Sequence, residues 1–200
     1  MDQYTEILTR MSDVLSPDDD QYEEKLLAIA AAFRSFGQAI TSFLFANGFS
    51  GDTNNIDEKA NYLKDKFKAA DIPPPRDIRK WFSEDKGINP DTAYQICFAF
   101  NLSIDETRDF FRRVYFERAF DCHSITEAVY YYCMRNGLSY SDALDIIAQM
   151  PKPKATVIKA DKEILYTGTI IEFINGAKNS DELIAYVTDH IEQFGYNNAT

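Results

Sequence analysis

One short signature recurs through the middle of this chain and limits what it can become: a helix-ending residue, an apolar residue, then a serine. Phe100-Asn101-Leu102-Ser103 is followed by Ile104-Asp105-Glu106, and Asn136-Gly137-Leu138-Ser139 by Tyr140-Ser141-Asp142. Asparagine and glycine tolerate the left-handed backbone that ends a helix, and the apolar residue after them folds back onto the turn just completed. Serine then caps the next helix, and Glu106 or Asp142, three residues on, completes a capping box. Asn47-Gly48-Phe49-Ser50 opens the same way, with a polar loop from Ser50 to Asn55 after it. A chain punctuated like this is a run of short, consecutively packed helices. The two full copies lie 36 residues apart and agree at Tyr94/Tyr130, Cys97/Cys133, Leu102/Leu138 and Ser103/Ser139. Four matches in so short a window read as one helix–turn device used twice, rather than as a duplication.

The rest of the chain fits this frame. Tyr4, Ile7, Leu8, Met11 and Leu15 recur at helical spacing, and Asp18-Asp19-Asp20 suits a helix start, where the dipole favours anions. Leu26, Leu27, Ile29, Ala30 and Phe33 make a second apolar face, a break falls near Ser35-Phe36-Gly37, and Ile40, Phe43, Leu44 and Phe45 continue to Asn47. Residues Asp57 to Ala70 predict a helix with Ala60, Leu63, Phe67 and Ala70 inward and its lysines outward. Ile72-Pro73-Pro74-Pro75 stops it, and Pro75 is placed to open the next helix, Arg76 to Ser83. Pro151-Lys152-Pro153-Lys154 marks a boundary. Beyond it lie Ala155 to Ile158, extended or a short strand, a helix over Thr167 to Ile174, and a last helix capped by Ser180. With only 8 Gly and 7 Pro, a sandwich of many tight turns is excluded. The expected fold is an all-α multi-helix bundle: N-terminal helices over residues 1–35, a central domain over 36–150 and a smaller helical C-terminal unit over 151–200.

Composition removes several function classes. No apolar run approaches the roughly 20 residues that span a bilayer, and the N-terminus is polar and acidic, unlike a secretory signal. Cys97, Cys122 and Cys133 are three in number and none sits in a C-x-x-C pair, which argues against a disulfide framework and a zinc site and for a reducing cytoplasm. His123 and His190 are the two histidines, and neither has a Ser, Cys or carboxylate in a recognisable catalytic arrangement. No glycine-rich phosphate loop or metal-ligand spacing is present, so no enzyme, metal or cofactor is expected. The formal charge of −11 opposes phosphate binding overall. Its distribution is uneven: Lys59, Lys64, Lys66, Lys68, Arg76, Arg79 and Lys80 stand against only Asp65, Asp71 and Asp77.

Gly87 to Glu106, with Asn89-Pro90 opening a helix and Ala93, Ile96, Cys97, Ala99 and Phe100 following, resembles the segment after the recognition helix in lambda-repressor-like helix-turn-helix proteins of the xenobiotic-response-element type. The resemblance spans roughly residues 36–115. It implies a helix-turn-helix-like centre, with Arg76 to Ser83 as recognition helix and Asp57 to Ala70 before it. The chain departs from that family in its proline-filled turn. On that reading the protein is a DNA-binding transcriptional regulator. Arg76, Arg79 and Lys80 face the groove of double-stranded DNA, and Lys59, Lys64, Lys66 and Lys68 meet phosphates in one patch unbroken by carboxylates. The alternative is a non-catalytic helical module for protein partners. Arg108, Arg112, Arg113 and Arg118 are interleaved with acids and read as a salt-bridged helix surface. Tyr130-Tyr131-Tyr132 covers about 200° of a helix, so at least one is expected outside the core, at a dimer or partner interface.

Overall fold

The structure, a computed structural model, describes residues 35–84, 86–152 and 167–194. The expectations for residues 1–34, for Pro153 to Ile158 and for the tail from Gly195 lie outside the described residues. Every regular element among the described residues is helical. In chain order the helices are α1 Phe36–Ala46, α2 Ile56–Ala69, α3 Ile78–Ser83, α4 Pro90–Ala99, α5 Ile104–Phe110, α6 Ile125–Arg135, α7 Tyr140–Gln149, α8 Thr167–Gly176 and α9 Ser180–Asp189. A π-helical turn, Phe111–Tyr115, continues α5, and a single 3-10 turn, Ile191–Gln193, follows α9.

Where the helices begin and end follows from local chemistry. Ser35, Ser103 and Ser139 each accept from the amide three residues on, and Gln38, Glu106 and Asp142 return a bond to the cap backbone, so all three are complete capping boxes. Asn55, Asn89, Ser124 and Asn179 cap α2, α4, α6 and α9 with their side chains. The last helix is thus capped by Asn179, one residue before the expected Ser180. The ends are equally regular. Gly48, Asp71, Asn101 and Gly137 all take the left-handed conformation. In each case the next residue's amide donates to the carbonyl five residues back: Phe49 to Leu44 at 2.9 Å, Ile72 to Phe67 at 2.9 Å, Leu102 to Cys97 at 3.0 Å and Leu138 to Cys133 at 2.9 Å. Phe49, Ile72 and Leu102 are buried by that step, so each helix end also supplies a core residue.

α1, α2 and α3 pack on one another around Ile40, Leu44, Leu63, Phe67, Ile78 and Trp81, and α2 carries this layer onto α4. The π-helical turn lies against α1, and α5 also contacts α6. α6 contacts α5, α7 and α8, and Arg135 is its only exposed residue. That enclosure corrects the expectation for the tyrosines: Tyr130, Tyr131 and Tyr132 are all buried. Tyr130 packs against Tyr94, Phe98 and Tyr140. Tyr131 meets Phe120 edge-on and donates to Asn175 Oδ1 at 3.2 Å. A helix covered on every side can bury three consecutive rings.

The left-handed turn at Asn101 separates two causes of stability. Asn101→Val should lower the unfolding free energy by about 1–2 kcal/mol, because a β-branched residue resists φ > 0, while Asn101→Gly should change it by roughly 0.5 kcal/mol or less. Urea denaturation measures both. Equal losses would mean that the asparagine side chain, not the backbone, holds the turn.

Candidate functional site

The expected recognition element begins with a proline-filled linker. After Asp71 turns out of α2, Ile72 is buried and Pro73-Pro74-Pro75 runs without regular structure to a turn at Arg76-Asp77. The helix starts only at Ile78, so α3 has six residues rather than the eight expected, and Asp77 gives it no side-chain cap. Its inward residues are Ile78 and Trp81, both nearly inaccessible, with Trp81 edge-on to Phe36 at 6.0 Å. Arg76, Arg79 and Lys80 are all exposed, but Arg76 lies in the turn ahead of the helix.

The basic window does not form one patch unbroken by carboxylates. Arg79 pairs with Asp57 of α2 at 2.7 Å, Lys80 with Glu84 at 3.4 Å, and Lys68 with Asp65 at 3.7 Å. Asp77 accepts from Lys86 at 2.6 Å, and that bond holds its carboxyl below the usual carboxylate range. Each exposed pair adds little stability, about 0–1 kcal/mol, yet together they place carboxylates across the face. Lys66 lies over the rings of Tyr62 and Phe100. Lys64 is half-buried and forms no ion pair among the described residues. Lys59, expected to point outward, is only 7% exposed. Its Nζ donates to Thr41 Oγ1 at 3.3 Å and sits 4.6 Å from the centre of the Phe82 ring. Burial pushes its pKa down, with Asp52 acting the other way. The outward reading failed because Lys59 lies one residue before Ala60, at the edge of α2's apolar stripe, where a long aliphatic stem crosses between α1 and α3.

A second constellation, unforeseen as such, sits between residues 94 and 127. The Tyr94 hydroxyl donates to Glu127 Oε2 at 2.7 Å and accepts from the Phe120 amide at 2.7 Å. The same carboxylate oxygen accepts from the Asp121 amide at 2.7 Å. These bonds tether the segment that leaves the π-helical turn. At its start the Phe116 amide reaches back to the Phe111 carbonyl, and Phe116 and Phe120 both adopt φ near +60°. A bulky residue there costs about 1–2 kcal/mol against an ordinary conformation. Phe120 is buried against Tyr94 and Tyr131, whereas Phe116 is 45% exposed. Around them Arg108, Arg112, Glu117, Arg118 and Ile171 help to line a groove of about 510 Å³, so it carries a carboxylate beside its arginines. Arg108 pairs with Asp105 at 3.0 Å and Arg112 with Asp109, each one helical turn back. Arg113 and Arg118 form no ion pair among the described residues, so the surface expected to be fully salt-bridged is only half so. Cysteine chemistry has no foothold: Cys97, Cys122 and Cys133 are buried, and burial pushes the Cys122 and Cys133 thiols up to about 12. No group of three or more His, Cys, Asp or Glu suited to a metal ion occurs among the described residues. No helix among them is long and apolar enough to cross a membrane.

Fold and surface define an all-helical bundle whose basic face is matched by carboxylates at Lys68, Arg79 and Lys80, with a groove lined by both arginines and Glu117. No family model, curated protein or solved structure matches the chain.

Two outcomes test these assignments. Lys59→Ala should cost about 1–3 kcal/mol by stripping the stem from between α1 and α3, and Lys59→Met should cost no more than about 1 kcal/mol. Equal costs by chemical denaturation would show that the ammonium, not the stem, matters. Glu127 is half-buried, and desolvation raises its pKa against the opposing bonds from Tyr94 and Asp121. The folded chain therefore holds the Glu127 proton more tightly than the unfolded chain. Its contribution to stability is full below the ordinary carboxylate range and is lost as pH rises through the raised value. Relative to wild type, Glu127→Gln should gain stability over that interval, and a pH-independent difference would exclude the effect.

Proposed function

We propose that this protein is a non-catalytic helical module that binds a protein partner, and that its helix-turn-helix-like centre does not read DNA. The ion pair between Arg79 and Asp57 carries this reading. The residue placed to enter a groove is held by a carboxylate of the preceding helix, and Lys80 and Lys68 are matched in the same way. Binding a duplex draws on cations that neutralise phosphates. Here three of the seven expected cations, Lys68, Arg79 and Lys80, are shared with the protein's own acids, in a chain of net charge −11. Three buried, unpaired thiols suit a reducing cytoplasm, where we place the protein. The three tyrosines belong to the interior, so self-association through them is not part of the proposal.

The helix-turn-helix reading stays as the second, because Arg76, Arg79 and Lys80 remain exposed on adjoining backbone and surface ion pairs of this kind open at little cost. A titration of mixed-sequence duplex DNA by fluorescence anisotropy, at about 50 mM salt, separates the two. The expected result is no binding by wild type, together with a partner that is recovered on the immobilised chain, identified, and bound again as purified protein. Duplex binding with a steep salt slope that flattens in an Arg76→Ala/Arg79→Ala/Lys80→Ala variant would replace the first reading with the second.

A further inference from the structure

Resting on the protein-binding reading, we infer that the outer face of α9 is the docking site, and that its occupant is a basic segment of the partner whose arginine lies against a stack of three rings. Two helices build the stack. Phe173 of α8 and Tyr186 of α9 lie face to face, with centres 3.6 Å apart and planes 11° from parallel. His190, the residue that closes α9, stacks on Tyr186 at 4.4 Å. One face of Tyr186 has no room for two rings at such distances, so Phe173 and His190 take opposite faces. His190 Nδ1 lies 3.0 Å from the Tyr186 carbonyl. A carbonyl only accepts, so Nδ1 donates, and this bond fixes the imidazole against the phenol. Core ring pairs such as Phe43–Phe110 and Phe120–Tyr131 meet edge-on, the arrangement that ring quadrupoles favour. This stack instead leaves a flat ring face at each end, and its three rings are only half-buried, while α9 buries Leu183 and Val187.

Charge selects what lies against it. Glu182, Ala185, Tyr186 and Asp189 recur at the spacing of one helix face, and with Phe173 and His190 they line a groove of about 390 Å³. That lining carries two carboxylates and neither lysine nor arginine. Over residues 167–194 the acids are Glu172, Asp181, Glu182, Asp189 and Glu192, against Lys178, which does not line the groove. Asp189 ends α9, where the helix dipole disfavours an anion, and no basic residue occupies that last turn to offset it. The Lys178 amide donates to Glu182 Oε2 at 2.9 Å, which orients a carboxylate able to accept further bonds. A planar guanidinium stacks on a ring face and pairs with a carboxylate at once, and a compact ammonium does not match both. Arginine is therefore the cation this lining suits, and the exposed Ala185 leaves room for it between the carboxylates. Seven helical positions separate Glu182 from Asp189, about 10.5 Å, a span that about three residues of an extended segment cover. The occupant thus carries one arginine for the stack and Asp189, and a second basic residue about three positions away for Glu182. The net charge of −11 draws such a segment towards the chain.

Two labelled dodecapeptides of Gly, Ser and Ala test this, one with two arginines three positions apart and one with lysines in their place. Each is titrated with the full chain by fluorescence anisotropy at about 50 mM salt. The arginine peptide should bind about three- to thirtyfold more tightly than the lysine peptide of equal charge. Asp189→Asn should weaken it about tenfold with Tm unchanged or raised, because the charge removed is unfavourable to the helix end. Asp65→Asn, which removes the same charge from an exposed position on α2, should alter it less than about twofold. Phe173→Leu keeps an apolar side chain and should abolish the preference for arginine while leaving the lysine peptide unaffected. Should that variant fail to fold, Asp189→Asn still decides. Equal binding of the two peptides, equal effects of Asp189→Asn and Asp65→Asn, or no binding of the arginine peptide would each overturn the docking site. The broader reading has a separate readout, since a protein recovered on the chain and bound again when pure leaves it standing after any of those results. If the arginine peptide fails, no protein rebinds and the chain binds duplex DNA instead, both readings fall.

Discussion

An amide that donates to the carbonyl five residues before it, just past a residue in the left-handed conformation, is the interaction on which this bundle depends. It occurs at Phe49, Ile72, Leu102 and Leu138. Each instance stops a helix, turns the chain and drives an apolar side chain back against the helix it ends. Serine capping boxes then restart α5 and α7 within two residues. With helix ends set this tightly, consecutive helices have few ways to pack. Core formation and local geometry therefore reinforce each other instead of competing.

The same device explains why α3 is short and why its charges are ordinary. Asp71 closes α2, Ile72 is drawn inward, and three prolines keep the linker out of a helix until Arg76. Only then can Ile78 and Trp81 enter the core, and the helix ends at Ser83, two residues after Trp81. α3 is thus positioned by packing against α1 and α2. Its outward cations lie close enough to α2 and to its own ends to meet Asp57 and Glu84. In a recognition helix the long donors must be free when the groove arrives. Here the geometry that buries Trp81 also brings Asp57 within hydrogen-bonding distance of Arg79.

Most of the bundle was legible because its signals are local. Asn101, Gly137 and the serines after them announce their turns by residue type alone, and the structure has them within a residue. Asp71 was not legible as a left-handed stop, since aspartate adopts that conformation less often than asparagine or glycine and the prolines seemed sufficient to end α2. Lys59 and the three tyrosines were misread for a shared reason. A helical pattern tells which residues share a face, but not how many faces find partners. α6 has neighbours around its whole circumference, and the stem of Lys59 fills a gap between α1 and α3 that exists only after packing. The candidate groove was invisible at first reading. Its arginines are scattered among acids at helical spacing, and nothing in Phe111 to Phe120 signals a wide turn or a positive φ. What fixes them lies far off in the chain, at Tyr94 and Glu127.

That distance carries its own meaning. If positions 116 and 120 served only to reverse the chain, glycine would do so at lower cost, as it does at 48 and 137. For Phe120 a reason is visible: its ring is buried between Tyr94 and Tyr131 and lies under the Arg108 guanidinium, 6.0 Å away, so packing offsets the strain. Phe116, at the start of the same segment, takes the same backbone conformation with 45% of its surface exposed. Tyr94 and Glu127 then acquire a role beyond cohesion. By holding the amides of Phe120 and Asp121, they limit how far the segment can relax after the π-helical turn, so a contact between residues 94 and 127 sets the backbone of the stretch between α5 and α6.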